Sequence, residues 1–185
     1  MHKILVLIAV ICVSGGYIYW DSVREPTQIK EALQEHEQAI KVPDFEYTDI
    51  NGNQSSLYAH EEKVILLNFW ATWCAPCVKE FPDMVALSEK FEDQLVFIAM
   101  SVDENPDNIG RFLKRLPKET QSSLKHLGNV YIAHDQDKAI AQDLFQTIKY
   151  PETYVIRKDL KVEEKVVGEI DWLSTKIVNR IKSLK

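Results

Sequence analysis

"KVILLNFWATWCAPCVKEFP", residues 63–82, decides how the rest of the chain is read. Its first half is an almost continuous apolar run, the pattern of a central strand buried on both faces. Cys74 and Cys77 follow at once. Beyond them the spacing predicts an amphipathic helix through about Phe91, with Val78, Phe81, Val85 and Leu87 as apolar positions. Pro76 has no N–H to lose and pre-sets the helix start, whereas Pro82 lies inside the helix and predicts a kink. A strand therefore runs into a helix with two cysteines at the junction. The pair is a metal clamp, a structural staple or a disulfide that forms and breaks.

Residues three apart share a helix face, with Cα atoms about 5–6 Å apart, inside the roughly 4.4–6.8 Å that a disulfide needs. Oxidation and reduction then require little backbone motion. Cys74 falls at the helix N-terminus, where unpaired N–H groups and the macrodipole favour its thiolate, the nucleophilic form. Cys77, one turn in, is expected to be more buried and to resolve a mixed disulfide by attacking Cys74. Zinc needs four ligands, but only two cysteines are available at the site, and His2, His36, His60, His126 and His134 show no paired spacing. A Cu(I) site of two thiolates plus a distant ligand stays open as an alternative. A purely structural link across so short a loop stabilises little. Redox exchange is the favoured reading.

The net charge of −6 comes without a long basic run, which argues against a nucleic-acid partner. Apolar residues make up 45% of the chain, enough for an ordinary core. Residues 1–20 read as a membrane address: Lys3 precedes an uncharged stretch from Ile4 to Trp20, near the lower end of the about 17–25 residues that span a bilayer. Tyr17, Tyr19 and Trp20 crowd its far end, as interfacial aromatics do. A signal anchor is favoured over a cleaved signal peptide, because the nearest candidate cleavage site, around Ser14–Gly16, lacks the A-x-A pattern. Cys12 is then an apolar residue of the anchor, since Val10 and Ile11 before it do not suit acylation. Both readings put the cysteine pair outside the cytoplasm, where disulfides persist; cleavage would leave a soluble periplasmic protein. Residues 21–41 read as a helical stalk or linker, and 42–185 as the catalytic domain.

Outward from the motif, Asn51-Gly52 marks a hairpin between two short strands. "LVFIAMSV" is a second buried strand, and a helix opens behind Asn105 and Pro106. Residues 117–129 are polar and read as a loop or irregular insertion. "VYIAH" is a strand, "DKAIAQDLFQ" a helix, residues 153–170 a hairpin turning at Lys158-Asp159, and residues 172–184 a closing helix. Strands alternating with helices and ending in a hairpin give an α/β class with a mixed central sheet.

The stretch "LLNFWATWCAPCVKEFP" resembles the membrane-tethered, thioredoxin-like disulfide reductases of the TlpA, ResA and DsbE (CcmG) family. "PDFEYTDINGNQSSL" at 43–57 is similar to that family's opening hairpin, and "YPETYVI" at 150–156 to its proline loop. The resemblance covers about 42–172. It implies a thioredoxin fold with an N-terminal hairpin extension and no bound cofactor. It implies a cis Pro151 facing the nucleophile, an acidic Glu80 that relays a proton to or from Cys77, and a client-binding rim of Trp73, Ala75, Pro76, Tyr150 and Glu152. Tyr150 departs from the small residue common before this proline. Plainer readings stand beside these: a strand-initial proline, and solvated glutamates at 80 and 152. Asn68 stands where generic thioredoxins place a buried aspartate, and an amide cannot titrate. The implied activity is reduction of disulfides in client proteins, apocytochrome c with its Cys-x-x-Cys-His thiols among them, with a transmembrane electron donor restoring the dithiol. An oxidase that donates its disulfide is the rival within the same chemistry.

Overall fold

A computed structural model describes residues 41–184. The anchor over residues 1–20, and all but the last residue of the stalk, lie outside the described residues. Among the described residues no helix is long and apolar enough to cross a membrane.

Strand β3 (Val64–Trp70) is buried at every position and forms the middle of a five-stranded sheet. On one side it pairs in parallel with β4 (Leu95–Ser101), which pairs in parallel with β5 (Val130–His134). On the other it pairs antiparallel with β6 (Glu152–Ile156), which pairs antiparallel with β7 (Val162–Val167). The mixed sheet expected from the strand pattern is present, in the order β5-β4-β3-β6-β7. The β6–β7 hairpin turns at residues 157–160, where Leu160 N donates to Arg157 O.

Alternation along β3 sends side chains to two cores. Trp70 meets Phe81, from helix α1 (Ala75–Lys90), and Phe112, from helix α2 (Asp107–Leu113). On the opposite face Phe69 meets Phe145 and Tyr154. The N-terminal hairpin, β1 (Glu46–Thr48) and β2 (Gln54–Ser56), forms its own two-stranded sheet. It reaches the main sheet beyond β5, where Ile50 N donates to Ile132 O. Gly52, at the turn, has φ +87°, a conformation that favours glycine there.

Two expectations change. Residues 118–126 are not a loop but helix α3 (Lys118–His126). Its polarity hid it, because Thr120 is its one buried residue and, of the half-buried Gln121, Ser123 and Leu124, Leu124 alone is apolar. The helix signals are at its ends: Pro117 before it, Glu119 in its first turn, and Lys125 and His126 in its last, each matching the macrodipole. The segment Ala139–Leu144 is π-helical, with Phe145 N donating to Ile140 O. The Asp135 carboxylate accepts from the backbone N–H groups of Ile140 and Ala141 at 3.2 and 2.7 Å and so holds its start. The closing helix α4 (Thr175–Ser183) begins three residues after Trp172. Helix α1 runs unbroken through Pro82.

Candidate active site

Cys74 is the N-cap of α1, and the Ala75-Pro76 pair forms the first positions of the helix. Cys74 and Cys77 are joined in a disulfide with a Cα–Cα distance of 5.3 Å, inside the range read from their spacing. Cys77 N–H points at Cys74 Sγ, 3.4 Å away. Cys74 retains 6% exposure and Cys77 only 1%, so a macromolecular partner reaches Cys74 first. Ala75 and Pro76 are exposed beside it.

The loop ahead of the helix is pinned from the neighbouring strand. Asp103, fully buried just after β4, accepts from Thr72 N at 3.0 Å and from the Thr72 hydroxyl at 2.7 Å. The Ser101 hydroxyl donates to the same carboxylate at 2.7 Å. Asp103 therefore sets the segment that delivers Cys74, and the sequence reading missed it. Its only mark there was an acidic residue directly after a buried strand.

Trp73 is 63% exposed, and its ring meets the half-buried Tyr150 ring edge-on at 5.9 Å. This contact joins the cysteine loop to the loop ahead of β6. The Tyr150–Pro151 peptide bond is cis, and Pro151 O accepts from Gly168 N at 2.8 Å. Ile148, two residues earlier than Tyr150, is 75% exposed. The rim is thus apolar and open to solvent.

Glu80 does not sit on a solvated face. It is 2% exposed, one turn beyond Cys77 on the buried stripe of α1. Trp172 Nε1 donates to it at 3.0 Å, and Asn68 Nδ2 makes a long contact of 3.5 Å. Asn68 bonds more firmly to Thr153 Oγ1, at 2.8 Å, which makes it a hydrogen-bonded core amide. Burial pushes the Glu80 carboxyl up to about 7, against hydrogen bonds from Trp172, the Ile170 backbone and Asn68 that oppose the shift. Trp172 was absent from the sequence reading, because nothing local ties it to a residue ninety-two positions away.

Glu152 is also buried, at 5% exposure, so it is not a free surface charge. It sits opposite Phe69 in the ladder, on the other face of the sheet from Asn68 and Thr153. It accepts from the Thr147 hydroxyl and pairs with Lys165 at 3.1 Å. Among the described residues no group of three or more His, Cys, Asp or Glu side chains is arranged to hold a metal ion.

Residues 39–165 match the AhpC/TSA family. The chain is 30% identical to thiol-disulfide oxidoreductase ResA of Bacillus subtilis over 164 residues, which cover 88% of this chain and 82% of that protein. It is 28% identical to thioredoxin-like protein YneN of the same organism, over 83% of each chain. Among solved structures it resembles a Chlorobium tepidum protein assigned as thiol:disulfide interchange protein DsbE. That likeness has a TM-score of 0.65 at 25% identity and covers 78% of this chain and 94% of the other. The chain belongs to the AhpC/TSA family. Within it, the chain is a thioredoxin-like thiol–disulfide oxidoreductase of the TlpA/ResA/DsbE type.

Proposed function

We propose that this family member reduces disulfides in client proteins outside the cytoplasm, held to the membrane by residues 4–20. The observation that carries the reading is the asymmetry of the pair: Cys74 lies at an apolar rim, and Cys77 is sealed beneath it beside a buried acid. In the reduced protein the Cys77 N–H and the start of α1 favour a thiolate on Cys74. That thiolate attacks one sulfur of the client disulfide. A Cys74–client bond forms as the client S–S bond breaks, and the departing client sulfur takes a proton. Cys77 then attacks Cys74, the internal disulfide closes and the second client thiol leaves. Two electrons and two protons pass to the client.

Cys77 must lose its proton to attack. Glu80, a turn away on the same helix face, has a carboxyl near 7 and is the acceptor suited to take it. Trp172 and Asn68 orient it. Trp73, Ala75, Pro76 and Tyr150 form the surface against which the client lies, and the buried cis Pro151 sets the backbone of Tyr150. Glu152 supports that loop from below through Thr147 and Lys165. Apocytochrome c, with a Cys-x-x-Cys-His segment, is the client class the family resemblance suggests, and a transmembrane dithiol protein would return the electrons.

The test is a Cys77→Ala variant expressed in cells whose thiols are blocked at lysis. Client mixed disulfides on Cys74 are expected, and finding none would sink the reading. The direction is set by the reduction potential of the pair. A value near about −270 mV marks a reductant, and one near about −120 mV marks a disulfide donor.

A further inference from the structure

A groove of about 310 Å3 lies between α1, the helix that carries the disulfide at its start, and α2. Thr72, Val78 and Pro82 line it from the cysteine side, and Phe112 from α2. Thr72 and Val78 stand two and one residues from the cysteines, so the groove borders the segment that carries them. Arg111 and Arg115 line its other side, and no carboxylate lines it anywhere. The Arg111 guanidinium donates to Asn108 Oδ1, a neutral partner on the same wall. Among the described residues neither arginine has an ion pair, whereas Lys79, the residue after Val78 on α1, is paired with Glu169. Two guanidiniums without an ion pair beside an apolar floor stand out in a chain of net charge −6, even with Asp107 one turn before Arg111 on α2.

We propose that this groove is a specificity subsite for the client: it receives an acidic side chain with an adjacent apolar one, next to the cysteine under attack. The apolar side chain lies on Val78, Pro82 and Phe112. The carboxylate faces Arg111 and Arg115, whose planar donors suit it. The proposal rests on Cys74 being the attacking thiol, and the arginines themselves take no part in the exchange of sulfur bonds.

The test uses the reduced full-length protein and two disulfide-containing peptides that differ only in carrying Leu-Glu or Leu-Lys beside the cysteine. Each second-order rate is divided by that for 2-hydroxyethyl disulfide, which is small and uncharged, so a general loss of activity cancels. The glutamate peptide is expected to react about tenfold faster than the lysine peptide at low salt, and the ratio should shrink in 0.5 M NaCl. In the Arg111→Glu/Arg115→Glu variant the preference should reverse, and in Arg111→Gln/Arg115→Gln it should vanish. Equal rates for the two peptides, or a preference that both variants keep, would overturn the subsite. Failure to reduce 2-hydroxyethyl disulfide at all would instead count against the reductase reading.

Discussion

Glu80 occupies a place in the α1 stripe where an apolar side chain would normally sit. The fold keeps its proton: the carboxyl titrates near 7, against 4.5 when unfolded. The raised value makes the stabilising contribution complete below about pH 4.5 and removes it as the pH rises through 7. Glu80→Gln retains an oxygen for Trp172 and never ionises. We expect it to be more stable than the wild type at pH 8, by about 1–3 kcal/mol, with the difference gone near pH 4.5. Urea unfolding at the two pH values checks this. The same variant should lose the inflection near pH 7 in the rate of disulfide exchange, and an unchanged profile would remove Glu80 from the proton path.

At the scale of elements, one ion pair ties three pieces together. Glu152 begins β6, Lys165 stands on β7, and Thr147 follows the π-helical segment, its N–H donating back to Ala141 O. Lys165 also lies 5.0 Å from the centre of the Tyr154 ring, so its stem and charge are both used. Lys165→Met leaves the buried carboxylate of Glu152 with the Thr147 hydroxyl as its remaining polar partner. The expected cost is about 1–3 kcal/mol, because an uncompensated buried charge is worse than none. Adding Glu152→Gln should recover at least half of it. Equal losses in the single and double variants, with Glu152→Gln alone costing nothing, would show by thermal and urea unfolding that the pair carries no coupling.

Across the whole molecule two buried titrating groups pull in opposite directions. His60 packs between the N-terminal hairpin and β5, with Tyr47 Oη 2.6 Å from its Nε2 and the Tyr131 ring 4.7 Å away. Burial holds its imidazole below the usual 6.5, so the unfolded chain takes the proton first. Its contribution is therefore present above about pH 6.5 and lost as the pH falls through the lower folded value. Glu80 has the reverse slope in an overlapping window. Stability measured from pH 5 to pH 7 should thus tilt upward with pH in Glu80→Gln and downward in His60→Phe, each relative to the wild type. Parallel curves for all three proteins would contradict the two assignments.

The sequence by itself determined the strand-to-helix junction, the cysteine spacing, the two central strands, the hairpins and hence the fold class. These follow from local causes: an apolar run, a proline at a helix start, an Asn-Gly turn and a three-residue interval. Its local pattern missed helix α3, whose packing face is Thr120, Gln121, Ser123 and Leu124, too polar a stripe to read as apolar periodicity. It also left Glu80 and Glu152 undecided between solvent and interior. Only the tertiary structure decided those, because burial of a glutamate depends on what other parts of the chain bring to it. For Glu80 that is the Trp172 indole and Asn68, and for Glu152 it is Thr147 and Lys165. The anchoring of Thr72 by Asp103 and the placing of Arg111 and Arg115 on one groove with Thr72 and Val78 belong to the same class. Charge and hydrogen bonding at this site are long-range properties of the chain, whereas the position of its sulfur atoms is a short-range one.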